Sequence, residues 1–136
     1  MLDMGAYAPV RAHKYDAGWD LRMPYDQYSF HNEYSIEPHK SLCINTGIHV
    51  QIPEGYVGII VPRSSTGIKG YTIKNTIGVI DSDYRGEIKL HLFVPVTQKI
   101  RIAQMLIMPC PQFNIEFVES LSETDRGEGG FGSTGE

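Results

Sequence analysis

Between residues 47 and 110 the apolar residues come in short bursts, punctuated by glycine and proline, and none shows the spacing of a helix. GIHVQI sets Ile48, Val50 and Ile52 on one side and His49 and Gln51 on the other, then meets a turn at Pro53, Glu54 and Gly55. YVGIIVP is a continuous apolar run ended by Pro62, the pattern of a strand buried on both faces. TIKNTIGVI, GEIKLHLFVP and IAQMLIMPC read as further strands. Only RSSTGIK, residues 63–69, has room for one helical turn, opened by a serine cap. Short strands between Gly/Pro turns imply an all-β sandwich, jelly roll or barrel. Residues 1–15 have no clean period, and neither repeats nor an internal linker are visible.

At 136 residues the chain is one domain with a single core. The net charge is −4 and no basic run occurs, which argues against a general nucleic-acid or membrane-surface binder. Such a chain can still hold a phosphorylated small molecule if local arginines, backbone N–H groups or a divalent cation offset the repulsion. The two cysteines lack C-x-x-C spacing and the five histidines lack H-x-x-x-H pairing, so neither a disulfide framework nor a structural zinc site is expected. Without a signal peptide or an apolar run of spanning length, the expected compartment is the cytoplasm.

The last eleven residues, RGEGGFGSTGE, match G-x-G-x-x-G at Gly127, Gly129 and Gly132, yet only four residues follow the third glycine. A dinucleotide fingerprint needs a helix behind it to meet the pyrophosphate, so that reading fails. What survives is an arm in which glycines let the backbone approach phosphate oxygens. Arg126 adds a fork of donors, Ser133 and Thr134 add hydroxyls, and Phe131 a flat face. The plainer alternative is a disordered tail, since composition shifts to Glu, Gly, Ser and Thr from about residue 122. Arg63, Ser64 and Ser65 at the end of an apolar run suit either an anion site or an ordinary capping turn. Asp81 ends another apolar run, followed closely by Tyr84. A carboxylate there can be partly desolvated and serve as general base on water, or it can simply begin a turn. Asp20, between Trp19 and Leu21, is either an inward polar residue or one that reaches a metal-bound water.

Taken in order, DAGWDL, PRSS, NTIGVIDSDYRG, RIAQM and RGEGGFGSTG resemble the trimeric deoxyuridine triphosphatases, or dUTPases, from residue 16 to the C-terminus. The resemblance implies a distorted jelly-roll domain over residues 1–121 with one short helical turn, and a flexible glycine-rich lid arm over residues 122–136. It implies a homotrimer with shared active sites that hydrolyses dUTP to dUMP and pyrophosphate. This would limit uracil incorporation into DNA and supply dUMP for dTMP synthesis. Mg²⁺ would be held mainly by the triphosphate, with Asp20 reaching it through water. By the same resemblance Asp81 activates the attacking water, and Tyr84 lies against the deoxyribose and rejects UTP. Asn75 and Ile80 belong to the uracil-binding hairpin, which acts chiefly through main-chain groups. Arg63, Ser64, Ser65 and Gln104 match phosphate-binding positions; Phe131 covers the uracil, and Arg126, Gly132, Ser133 and Thr134 hold the phosphates.

The chain departs from the family's usual pattern at Ser65, Thr66 and Gly67, at Trp19, at Asp16 and over residues 1–15. One rival is dCTP deaminase, which shares the fold and an Arg-Ser-Ser segment but carries a catalytic Glu about where this chain has His91. Another is an inactive jelly-roll domain that binds a nucleotide or a protein.

Overall fold

A computed structural model of the chain describes residues 1–24, 42–70, 72–93 and 101–130. Six strands and one helical turn are found there: β1 (Trp19–Arg22), β2 (Leu42–Asn45), β3 (Tyr56–Val61), α1 (Ser64–Ile68), β4 (Gly78–Ile80), β5 (Lys89–Leu92) and β6 (Arg101–Pro109). All ladders are antiparallel. One sheet runs β1-β6-β3-β4 and a second pairs β2 with β5. Leu21, Ile60, Ala103 and Met105 of the first sheet meet Ile44, Leu90 and Leu92 of the second. Ile48, Ile73 and Ile88 close the gaps between strands. Period-2 alternation thus produces two sheets facing across one apolar core, the all-β sandwich expected. Among the described residues no helix is long and apolar enough to cross a membrane.

The structure differs from the sequence reading in several details. The GIHVQI segment turns Ile48 and Ile52 inward but forms no ladder, only a bridge between Ile48 and Leu2, because the strand it needs is replaced by the irregular N-terminal segment. In β3 burial alternates instead of covering both faces: Gly58 and Ile60 are buried while Val57, Ile59 and Val61 are half-buried on the outer face. Arg63, not a serine, is the N-cap of α1, and no side chain caps that turn.

Residues 72–80 link the two sheets. Phe93 N–H donates to the Thr72 carbonyl (3.2 Å) and Lys74 N–H to the His91 carbonyl (2.8 Å), so the segment starts along β5. It then turns at Asn75 and Thr76 and joins β3 as β4. Thr76 holds φ 60°, a left-handed conformation unfavourable for a β-branched residue. The Asn75 amide braces that tip by donating to the Ile77 carbonyl at 2.9 Å. Beyond β6 the chain runs exposed, with Phe113, Ile115 and Phe117 between 85% and 96% accessible.

Candidate active site in two halves

The first half is a recess of about 220 Å³ where β1, β6 and the start of α1 meet. Asp20 on β1 is buried, and each of its carboxylate oxygens is held by a different guanidinium. Arg63 Nε lies 2.6 Å from Oδ1 and Arg101 Nη1 lies 2.7 Å from Oδ2. Two cations on one anion outweigh the charge of Asp20, while Asp16 also lines the recess and brings a second carboxylate to it. Gln104 is opposite Asp20 in the ladder and donates from Nε2 to the Pro62 carbonyl at 3.2 Å. Its side chain lies over Gly18, where a Cβ would come within 2.5 Å of Oε1, so only glycine allows that contact. Arg63 also reaches the Ser65 hydroxyl at 3.4 Å, and Ser64 lines the recess. At the departure from the family pattern, Thr66 turns inward and its hydroxyl is buried with no partner among the described residues.

The second half is a cleft of about 420 Å³ between β5 and the end of β4, lined by Ile80, Asp81, Tyr84, Lys89 and His91 among others. IDSDYRG folds into a tight turn in which Tyr84 N–H donates to the Asp81 carbonyl at 3.2 Å. Arg85 Nη1 spans the turn, donating to the carbonyls of Ser82 (2.7 Å) and Tyr84 (2.9 Å). The phenol of Tyr84 folds back over Gly86 and donates to the Glu87 carbonyl at 2.9 Å. Asp81 itself is exposed and no described side chain pairs with its carboxylate. The desolvation expected from a buried strand end is therefore absent in the single chain, because Asp81 stands beyond the edge strand rather than inside the sandwich.

The halves are far apart. In the order β1-β6-β3-β4 three inter-strand steps separate Asp20 from the strand before Asp81, roughly 14 Å. Asp20 is level with Gln104, and Ile80 with Gly58 and hence Ile107, which adds roughly 13 Å along the strands once the step to Asp81 is included. The expected residues therefore form two groups at opposite corners of one sheet. Asp20, Arg63, Ser64, Ser65 and Gln104 make one; Ile80, Asp81 and Tyr84 make the other. Arg126 belongs to neither: it lies on an exposed turn and donates from Nε to the Gly129 carbonyl at 2.9 Å. Phe131, Gly132, Ser133 and Thr134 lie outside the described residues.

Sequence reasoning overlooked Arg101, although it opens the RIAQM motif, because its partner Asp20 is 81 positions away. Gly18 and Gly86 were visible only as motif glycines, not as the surfaces on which Gln104 and Tyr84 rest. Among the described residues no group of three His, Cys, Asp or Glu is placed to hold a metal ion. Both Asp20 oxygens are engaged by guanidinium groups, which does not suit a protein-built magnesium cage.

A dUTPase family description matches residues 5–135. The chain is 44% identical over 126 residues to the deoxyuridine 5′-triphosphate nucleotidohydrolase of Escherichia phage T5, covering 88% of this chain and 85% of that protein. It is 43% identical over 142 residues to the protein of the same name from Clostridium tetani, covering 99% and 93%. Among solved structures it resembles the dUTPase of Staphylococcus bacteriophage 80alpha with dUPNHPP, at a TM-score of 0.77 and 27% identity, covering 99% of this chain and 95% of that one.

Proposed function

The chain belongs to the dUTPase family, and from that premise we propose how its own residues carry the hydrolysis of dUTP to dUMP and pyrophosphate. The enzyme is a dUTP diphosphatase with the family's jelly-roll fold. The observation that carries our assignment is the division of the site into two half-sites at opposite corners of one sheet. One nucleotide cannot bridge them within a subunit, so each active site takes the Asp81 half from one copy and the Arg63 half from another. The outer face of that sheet supports such an assembly. Val57, Ile59, Leu106, Met108 and Val79 share it with Asp20 and Gln104, an apolar surface that runs straight into the phosphate recess. Phe113, Ile115 and Phe117 alternate like a strand that lacks its sheet. We assign a homotrimer in which residues 122–136 close as a lid over a neighbour's nucleotide; residues 119–136 can stretch to roughly 60 Å.

In this site the hairpin of residues 73–80 reads uracil through main-chain groups, with Asn75 fixing its tip and Ile80 flanking the base. Cytosine reverses one donor and one acceptor on that edge and is refused. Tyr84 packs on the deoxyribose and leaves no room for a 2′-hydroxyl. Arg63, Ser64, Ser65 and Gln104 bind the phosphates, joined by Arg101, and Arg126 with Gly132, Ser133 and Thr134 close over them while Phe131 covers the base. Asp81 orients a water and takes its proton. The water oxygen attacks phosphorus at the α–β linkage, the bridging P–O bond breaks, and pyrophosphate leaves. Burial of Asp81 against the second subunit supplies the desolvation that the single chain lacks. The family is generally magnesium-dependent; an ion brought with the triphosphate would supply charge neutralisation, and Asp20 would be the residue that reaches it through water. We assign the enzyme to the cytoplasm.

The test is pyrophosphate release from dUTP with Mg²⁺, alongside dCTP, dTTP and UTP. Release from dUTP alone is expected; equal release from UTP counts against Tyr84, and ammonia from dCTP against the whole assignment.

A further inference from the structure

Between the sandwich and the Asp81 turn stands His49, a residue that neither half-site uses. Its Nδ1 lies 3.1 Å from the Arg85 carbonyl oxygen and its Nε2 lies 3.3 Å from Asp3 Oδ2. A carbonyl and an ionised carboxylate only accept hydrogen bonds, whereas neutral imidazole has one donor and one acceptor. Both contacts form together only when both ring nitrogens carry protons, so the arrangement calls for the imidazolium ion.

The two partners belong to elements that matter. Asp3 lies in the N-terminal segment, which is stitched to the His49 segment by Asp3 N–H to the Gly47 carbonyl (2.9 Å) and His49 N–H to the Met1 carbonyl (3.0 Å). Arg85 lies in the turn that carries Asp81 and Tyr84, and its guanidinium binds the carbonyls of Ser82 and Tyr84, making the turn one body. A second tether runs alongside, from Gly47 N–H to Glu87 Oε1 at 2.8 Å. We propose that protonated His49 is a positioning residue that latches the turn bearing Asp81 and Tyr84 to the N-terminal segment, so that a proton bound outside the active site tunes the binding of dUTP.

Acids and cations both surround the ring, and the acids Asp3 and Glu87 favour its charged form. Asp3 faces it from the N-terminal segment and Glu87 from beyond the turn; Lys89 lies 3.9 Å from Glu87, and the Met1 amino group donates to the His49 carbonyl at 2.9 Å. The pKa of His49 is raised above its ordinary value, first by the bond to the Arg85 carbonyl, while burial opposes and Asp3 and Glu87 add to the rise. The sign follows from this direction. With the folded value above the unfolded one, about 6.5, the latch is fully formed below that pH and is lost as pH rises through the raised value. The latch touches the turn through Arg85 and not the Asp81 carboxylate, so the expected loss falls on KM, through Tyr84, more than on kcat.

The consequence for dUTP rests on the assignment of Tyr84 made above; the latch itself does not. The test uses the full chain in two arms. Ring and amide NMR from about pH 5.5 to about pH 9 should show His49 titrating above the usual histidine value. The amides of Tyr84, Arg85 and Gly86 should follow with the same midpoint, and Asp3→Asn should move both midpoints down together. In parallel, KM for dUTP with Mg²⁺ should rise severalfold across that midpoint. In His49→Asn, whose amide keeps an untitratable donor toward Arg85, that pH-dependent component should vanish. Amides that ignore the ring, or a midpoint unmoved by Asp3→Asn, would overturn the latch. A titrating latch with identical KM profiles in the two proteins overturns its link to substrate. Absence of any pyrophosphate release from dUTP counts against the catalytic assignment and leaves the NMR result to stand by itself.

Discussion

At Gly86 a methyl group would lie 2.3 Å from the Tyr84 hydroxyl and 2.4 Å from the ring carbon beside it. Gly86→Ala must therefore push the phenol out of its seat and break its bond to the Glu87 carbonyl, although the backbone itself accepts alanine. The expected result is a lower kcat/KM for dUTP and a UTP-to-dUTP preference raised by about tenfold, read by pyrophosphate release on both substrates. Unchanged selectivity would remove Tyr84 from sugar recognition. Asp81→Asn keeps the shape of the side chain and removes the proton acceptor. Its kcat should fall on the order of a hundredfold or more, while calorimetry with a non-hydrolysable dUTP analogue should find binding nearly intact; normal turnover would mean that Asp81 is not the base. Asp81 and Tyr84 were legible as candidates because IDSDYRG keeps the carboxylate and the phenol close in the chain, whereas the role of Gly86 as the seat of the phenol was not. The pairing of Arg101 with Asp20 was not, since neither local spacing nor composition marks a contact across 81 residues. Nor was the exposure of Asp81, which depends on what lies beyond the edge strand.

Among the elements, β3 and β6 were readable as runs bounded by Gly or Pro, and they pair with each other over six residues at the centre of the large sheet. GIHVQI has equally good alternation, yet it forms no ladder. A strand is defined by its partner, and partners are a property of the fold rather than of the segment. Residues 72–80 likewise read as one strand but divide at Asn75 and Thr76, where the left-handed Thr76 transfers the chain from β5 to β3. Past that break, β4 carries Val79 and Ile80 into the wall of the Asp81 cleft, so a local failure of the strand pattern leads into the candidate site. The C-terminal arm belongs to this scale too. Ending the chain after Ser122 removes Arg126 and everything beyond it but keeps the alternating Phe113, Ile115 and Phe117. The shortened protein should run at the same assembled mass by light scattering while kcat/KM for dUTP drops on the order of a hundredfold, as expected when a closing segment no longer positions the triphosphate. Full activity would reduce residues 123–136 to a tail.

For the molecule as a whole, the decisive observation is that one sheet carries the Arg63 recess and the Asp81 cleft at opposite corners, which the proposed assembly turns into one site. Two inactive variants can then repair each other. Arg63→Ala damages only the phosphate half of a subunit, and Asp81→Asn only the water-activating half. In the proposed ring of three, every site would join the Asp81 half of one subunit to the Arg63 half of the next. It works when the first is the Arg63→Ala chain and the second the Asp81→Asn chain. Random mixing in equal amounts meets that condition at about one site in four, the product of two independent one-half choices in a closed cyclic assembly. Unfolding the two variants together and refolding them should therefore restore about a quarter of wild-type kcat per site, whereas mixing the folded proteins without exchange should restore almost none. If the site were contained in one subunit, every chain would carry one broken half and co-refolding would yield no more activity than the separate variants. Recovery near a quarter, measured as pyrophosphate release per chain, distinguishes the shared arrangement from that alternative.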